Sequence, residues 1–123
     1  MTRSVFEYAV LRAVPRVERG ESVNVGVVLY CQDADFLRTG VHLDVPRLQA
    51  LDAEVDVEGV RGAVEALART CAGEGPAGET SLGQRFRWLT APRSTVVHAG
   101  PVHAGLTEDP VVELDRLLGA LVR

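Results

Sequence analysis

The sequence contains no lysine and no isoleucine, so all 13 of its basic side chains are arginine. The codons of both missing amino acids are rich in A and T, and their absence indicates a genome of high GC content. The abundance of arginine is therefore no sign, by itself, of the bidentate anion recognition at which guanidinium groups excel. Acidic side chains number 17 and the formal net charge is −4. That balance argues against a dedicated nucleic-acid-binding protein, because such domains usually carry a net positive surface.

Cysteine and histidine are also scarce. Cys31 and Cys71 stand alone, without the close spacing of a zinc or redox motif, and we expect both to be buried thiols of a cytoplasmic protein. His42, His98 and His103 are too scattered to form a recognisable ligand set, so we predict no metal and no cofactor. No apolar run approaches the length that crosses a bilayer, and the N-terminus lacks the apolar core of a signal peptide. We therefore expect no membrane association.

Apolar, β-branched segments in the first half of the chain predict strands. They lie at Val5–Val14, Val23–Cys31 and Phe36–Leu43. The connections between them are too short for parallel crossovers, so they predict an antiparallel meander. Strict alternation along the second strand would place Val23, Val25, Val27, Leu29 and Cys31 on one face. Thr95–Ala99 predicts a fourth strand, which breaks at Gly100-Pro101 and resumes at Val102–Ala104.

The second half of the chain has helical periodicity. Asp56 is predicted to cap a main helix over Val57–Cys71, and Asp109-Pro110 begins a second one that runs to the C-terminus. Ser81 and Gln84 match a capping box that starts a short helix between them. We therefore predict one α+β domain over residues 1–123: an antiparallel sheet of about four strands, with two main helices and one short helix packed largely on one face. Residues 72–80 are rich in Gly, Pro and Ala and are predicted to form a flexible internal loop.

Polar side chains gather in the loop that joins the first two strands. Arg19 and Glu21 flank Gly20 there. One interpretation is an anion site in which Arg19 holds the ligand and Glu21 acts as a base or hydrogen-bond acceptor. The other, which we favour, is a solvated hairpin loop whose surface ion pairs contribute little.

Arg12 and Asn24 are anomalous because they lie inside apolar strands. A buried guanidinium must find a carboxylate or reach solvent, and Glu7 or Glu21 is the predicted partner of Arg12. The amide of Asn24 must also be satisfied, and the loop backbone beside it is the expected partner. We favour a structural hydrogen-bond network, while a network that presents Arg12 to a ligand stays open.

A second polar cluster spans residues 85–94, where Arg85, Arg87 and Arg93 are interleaved with Phe86 and Trp88. Arginine and aromatic side chains together are typical of protein interfaces, and they also occur where proteins contact nucleic acid. The acidic balance of the chain ranks the protein interface first. Arg85, Arg87 and Trp88 are accordingly the predicted interface residues.

Two longer blocks resemble a known family. The segments ERGESVNVGVVL (Glu18–Leu29) and RFRWLTAPRS (Arg85–Ser94) are similar to the bacterial domain-of-unknown-function family 3037, and the resemblance covers nearly the whole chain. Members are small stand-alone proteins whose genes often lie beside one for a kinase similar to the HipA toxin kinases. The resemblance thus implies a functional link to such a kinase. It identifies no reaction and no catalytic residue.

We therefore predict a non-enzymatic accessory or binding module, with a HipA-like kinase as its expected partner and a homodimer as an expected assembly. The alternative is an enzyme or binding domain for an anionic, phosphorylated small molecule. Its candidate anion-binding residues are Arg12, Arg19, Asn24, Arg93 and Ser94, and its candidate acid–base residues are Glu21 and His103. A weaker alternative is nucleic-acid contact through Arg85, Arg87 and Trp88.

Overall fold

A computed structural model describes residues 2–123. The strands are β1 (Ser4–Ala13), β2 (Val23–Cys31), β3 (Phe36–Val41), β4 (Val97–Ala99) and β5 (His103–Thr107). The helices are α1 (Val45–Leu51), α2 (Val57–Cys71), α3 (Leu82–Leu89) and α4 (Pro110–Leu121), and a 3₁₀ helix at Gly75–Glu79 precedes α3. None of the helices among these residues combines the length and apolarity needed to cross a bilayer.

The five strands form one antiparallel sheet in the order β3-β2-β1, with β4 and β5 both paired to the far side of β1. β4 lies beside the C-terminal end of β1, and β5 lies beside its N-terminal end. The predicted break in the fourth strand is therefore present. The α+β class and the antiparallel meander are confirmed, and five strands replace about four because the interrupted strand counts twice.

Two apolar clusters cover the two faces of the sheet. Beneath α1, α2 and α3, the first cluster joins Leu48, Val64 and Phe86 to the sheet residues Leu11 and Val28. On the opposite face α4 packs alone, and its residues Leu114, Leu117 and Leu118 meet Phe6, Val27 and Leu29. Because both faces are covered, the two central strands β1 and β2 read as nearly continuous apolar runs.

A β-bulge divides β2 into two parts. Leu11 pairs with Gly26 while Arg12 pairs with Asn24, so Val25 is an extra residue in β2. Val25 packs in the cluster beneath α2, whereas Val27 packs beneath α4. The prediction that all odd-numbered residues of this strand share one face is therefore wrong, because the extra residue reverses the alternation.

Local sequence fixes the starts of the helices. The Asp56 side chain accepts a hydrogen bond from the backbone N–H of Gly59, which caps α2 as predicted. Ser81 and Gln84 form both bonds of the predicted capping box at α3. Asp109 caps α4, with proline at the first helical position.

Candidate functional site

A depression of about 280 Å³ opens where β1, β4 and the β1–β2 loop meet. We call it the arginine pocket, and its lining residues are Arg12, Val14, Val17, Gly20, Ser22, Arg93, Ser94, Thr95 and His98. Of the residues predicted to bind an anion, Arg12, Arg93 and Ser94 are thus brought together. Arg93 and Ser94 lie 81 and 82 positions after Arg12 in the sequence, and the pairing of β4 with β1 makes them neighbours.

Strand register positions Arg12 within the pocket. It pairs with Asn24 on β2 and with His98 on β4, so three polar side chains form a row on one face of the sheet. Gly100, at the break between β4 and β5, leaves room for the guanidinium. A Cβ atom at position 100 would lie 2.8 Å from Cζ of Arg12.

Arg12 has no carboxylate partner within residues 2–123. Its predicted partners are engaged elsewhere, since Glu7 accepts two hydrogen bonds of 2.9 Å from Arg87 and Glu21 accepts one of 2.6 Å from Arg19. The predicted pairing of Arg12 with Glu7 or Glu21 is therefore wrong. The Arg12 side chain is half-buried and brings an uncompensated positive charge to the pocket.

Arg93 brings a second guanidinium. Its Cζ lies 4.1 Å from the centre of the Trp88 ring, and one of its nitrogens donates to the Trp88 carbonyl. This stack holds the side chain in place, as cation–π contacts do. Arginine has five N–H donors, so most of those of Arg93 stay free. No acidic side chain lies within salt-bridge distance of it among the described residues.

Hydroxyl groups and an imidazole complete the lining. The side chains of Ser22 and Ser94 are exposed and make no hydrogen bond within residues 2–123, so each can donate to a ligand. Thr95 donates its hydroxyl to the Val97 carbonyl at 2.8 Å. His98 has Nδ1 3.0 Å from the Thr95 carbonyl, and in the neutral ring that contact places the proton on Nδ1.

The predicted acid–base residues lie outside the pocket. Arg19 and Glu21 form an ion pair with each other on the exposed surface of the loop. They lie on either side of Gly20, whose φ of +71° is in the left-handed region that glycine adopts readily. The hydrogen bond and charge of Arg19 lower the pKa of Glu21, and those of Glu21 raise the pKa of Arg19. His103 lies on β5, where its ring packs against Tyr8 with 5.3 Å between centroids.

Asn24 serves the fold. Its side-chain amide donates to the Leu121 carbonyl at 2.9 Å, and Arg47 donates to the Val122 carbonyl at 2.7 Å. The last carbonyls of a helix have no intrahelical partner, so these two side chains secure the end of α4. The prediction that the loop backbone satisfies the Asn24 amide is therefore wrong, because the amide donates to the end of α4 instead.

The three predicted interface residues have different environments. Arg85 is only 9% exposed, and its guanidinium donates to the carbonyls of Cys71, Ala77 and Thr80. Arg87 forms the bidentate pair with Glu7 on the surface, and the hydrogen bond that Arg87 donates to Glu7 raises the pKa of Arg87. Trp88 is 54% exposed. Arg85 thus joins the predicted flexible loop to α2 and α3, and Trp88 is the large apolar side chain that α3 presents to solvent.

Sequence reasoning missed Ser22, Thr95 and His98 as lining residues. His98 is opposite Arg12 on the neighbouring strand, so its place in the pocket follows from the β1–β4 register, which no local pattern encodes. Within residues 2–123, no group of three His, Cys, Asp or Glu side chains is placed to hold a metal ion.

A family model described as "Protein of unknown function (DUF3037)" matches residues 8–122. The match includes every residue that lines the arginine pocket. No curated protein and no solved structure matches the chain.

Proposed function

The chain belongs to the DUF3037 family of proteins of unknown function, and we propose that it is a binding module that holds an oxyanion, foremost a phosphoryl group, in the arginine pocket. The observation that supports this role is the convergence of Arg12 and Arg93, 81 positions apart in the chain, on a depression without a carboxylate among its lining residues. Two unpaired guanidinium groups repel each other, and an anion between them would offset that repulsion.

The other lining groups suit the same ligand. A phosphoryl group has three strong acceptor oxygens and prefers charge-assisted donors, and guanidinium groups match it bidentately. The free hydroxyls of Ser22 and Ser94 add neutral donors at the same opening. The volume of about 280 Å³ is just below the range of pockets that enclose a whole small molecule, so it suits one ionic group of a larger ligand.

Binding rather than catalysis is supported by the position of the titratable groups. The Glu21 carboxylate is paired with Arg19 outside the pocket, and its lowered pKa makes it a weak proton acceptor. Nδ1 of His98 faces the Thr95 carbonyl, and within the described residues no hydrogen bond joins the other ring nitrogen, Nε2, to a hydroxyl group. No nucleophile in the pocket is therefore aligned with a base.

Calorimetric titration of the protein with O-phospho-L-serine tests the proposal. We expect binding that weakens as salt is added, because exposed ionic contacts are screened. Arg12→Met should weaken it by ~10-fold or more, since hydrogen bonds between charged groups contribute about 1.5–3 kcal/mol.

Arg38→Met is the matched control, since it removes one exposed arginine from β3, two strands away from β1. We expect it to leave the Kd within twofold of the wild-type value. Equal losses in Arg12→Met and Arg38→Met would mean that net charge attracts the ligand, and the proposal would be wrong.

A second candidate function is that of an accessory module for a protein partner, for which the family resemblance suggests a HipA-like kinase. The half-exposed Trp88 ring supports a protein contact, because tryptophan and arginine are frequent at binding hot spots. We place this role in the cytoplasm of a bacterium with a GC-rich genome, supported by the free thiols Cys31 and Cys71 and the absence of lysine.

Co-purification of the neighbouring kinase with the protein tests the link, with Trp88→Ala as the variant that should reduce it. If the kinase does not associate with the protein, and the protein has no effect on phosphorylation by the kinase, the proposed link is excluded. Homodimerisation is a separate proposal, supported by the edge strand β5, which within residues 2–123 pairs with β1 alone. Light scattering of the eluted protein measures it directly.

A further inference from the structure

A second depression lies beside α3. It has a volume of about 550 Å³ and lies between the C-terminal end of α2, the 3₁₀ helix and α3, and we call it the Trp88 cleft. Pro76, Ala77 and Trp88 give it apolar walls, and Glu74 and Gln84 bring polar atoms to it. The volume is in the range of pockets that hold a ligand group of drug size.

The Trp88 cleft is built on a fixed base. Arg85 lines it, and the three carbonyl bonds of Arg85 hold the end of α2 and the segment around Ala77 and Thr80 together. These bonds use three of the five N–H donors of Arg85, and the side chain is only 9% exposed, so this arginine has little capacity left for an anion. The chemistry of the cleft is therefore apolar with hydrogen-bond acceptors, and it differs from that of the arginine pocket.

Arg93 connects the two depressions. It lines the arginine pocket, and its guanidinium stacks on Trp88, which lines the cleft. The stacked pair is thus a shared wall, with a phosphate-binding group on one side and an apolar recess on the other. A ligand that reached across this wall would use both.

We propose that the ligand is a phosphorylated polypeptide segment, with its phosphoryl group in the arginine pocket and a nearby apolar side chain in the Trp88 cleft. This inference depends on the proposed function. A peptide fits better than a free metabolite because it offers a phosphoryl group and an apolar group at separate points along one chain. Its backbone N–H groups also match the Glu74 carboxylate, an acceptor that lines the cleft.

A nucleic acid fits less well. Its phosphates would meet Glu74 at the cleft, and the net charge of −4 repels a polyanion. One face of the Trp88 ring is already covered by Arg93, which limits the stacking of a base. These observations favour a peptide, and nucleotides become an arm of the test.

The experiment uses the full chain and a library of short peptides with one central phosphoserine among randomised positions. Selected peptides are then compared with inorganic phosphate by calorimetry and by the fluorescence of Trp88, the single tryptophan of the chain. We expect enrichment of an apolar residue at a fixed distance from the phosphoserine. Selected peptides should bind ~10-fold or more tighter than phosphate, because a buried apolar side chain contributes about 1.5–3 kcal/mol.

Two variants separate the parts of the ligand. Trp88→Ala should bring the ratio of phosphate Kd to peptide Kd close to one, and Arg93→Lys should reduce the ratio by losing the planar stack while keeping the charge. Leu106→Ala is the control, since Leu106 is 58% exposed on β5 and lines neither depression. It should leave the ratio unchanged.

The outcomes distinguish the two proposals. Three results would overturn the peptide inference and leave anion binding standing. Phosphate could bind while no peptide binds more tightly, or Trp88→Ala could leave the ratio of the two Kd values unchanged. A 5′-mononucleotide or a short oligonucleotide could also outcompete the selected peptides. If neither phosphate nor any phosphopeptide binds, anion binding itself fails.

Discussion

Replacing Arg85 with methionine should destabilise the protein, because this buried side chain holds three backbone segments together. Its guanidinium donates to the Cys71 carbonyl at 3.1 Å in a buried bond, and to the Ala77 and Thr80 carbonyls at 3.1 and 3.3 Å in partly buried ones. Methionine retains an unbranched apolar stem and leaves all three carbonyls without this donor. The variant therefore isolates the hydrogen bonds from most of the packing.

The size of the loss follows from the exposure of each bond. A buried bond to a charged donor contributes about 2 kcal/mol, and each partly solvated one contributes roughly 0.5–1 kcal/mol. Relief from burying a charge offsets part of the sum. We therefore expect a loss of about 3 kcal/mol in the free energy of unfolding, which lowers Tm by roughly 12 °C for a chain of this length.

Urea unfolding followed by circular dichroism measures the difference. Arg87→Met is the matched control on the same helix: it breaks a surface pair with Glu7 and should cost at most about 1 kcal/mol. If Arg85→Met and Arg87→Met unfold at the same urea concentration, water satisfies the three carbonyls and Arg85 is no anchor.

Three further predictions concern the pocket, α4 and a buried thiol. Gly100→Ala should displace the Arg12 guanidinium and weaken O-phospho-L-serine binding by ~10-fold, which corresponds to the loss of one charged contact. Gly62→Ala is the control, because its added methyl group meets nothing within 4 Å, and it should leave the affinity unchanged. Asn24→Ala should cost about 1 kcal/mol and speed hydrogen exchange in the last turn of α4; unaltered exchange there would contradict the anchoring role. Burial raises the pKa of the Cys71 thiol, so the folded chain keeps this proton to higher pH than the unfolded chain. Stability from this group is complete below the ordinary cysteine value and decreases above it. Urea midpoints at rising pH should therefore fall more in the wild type than in Cys71→Ala, and parallel curves would refute the shift.

Local signals predicted the fold because they are satisfied within a few residues. The caps Asp56, Ser81 and Asp109 form bonds to backbone groups two or three positions away, so the helix starts could be predicted closely. Apolar runs likewise indicated the strands. The bulge at Val25 could not be predicted, since it depends on how β2 meets β1 and leaves no mark in the composition of β2.

The candidate site depended on pairings distant in sequence. Arg12 could be identified as a site residue because a guanidinium inside an apolar strand must find a partner or reach solvent. The predicted partner is wrong because it was chosen among carboxylates that are near Arg12 in the sequence. Glu7 is instead paired with Arg87, 80 positions away. His98 lies in the pocket because its strand register places it opposite Arg12. His103, only five positions later, lies on β5 opposite Tyr8 and outside the pocket.

The interruption between β4 and β5 affects more than the path of the chain. A continuous strand at this edge would offer a long row of unpaired backbone groups to other proteins, whereas two pieces of three and five residues offer only short ones. The same gap holds Gly100 against Arg12. A continuous strand would thus fill the space beside Arg12 and would also create an aggregation-prone sheet edge. The interruption between β4 and β5 therefore serves both the pocket and the protection of the edge.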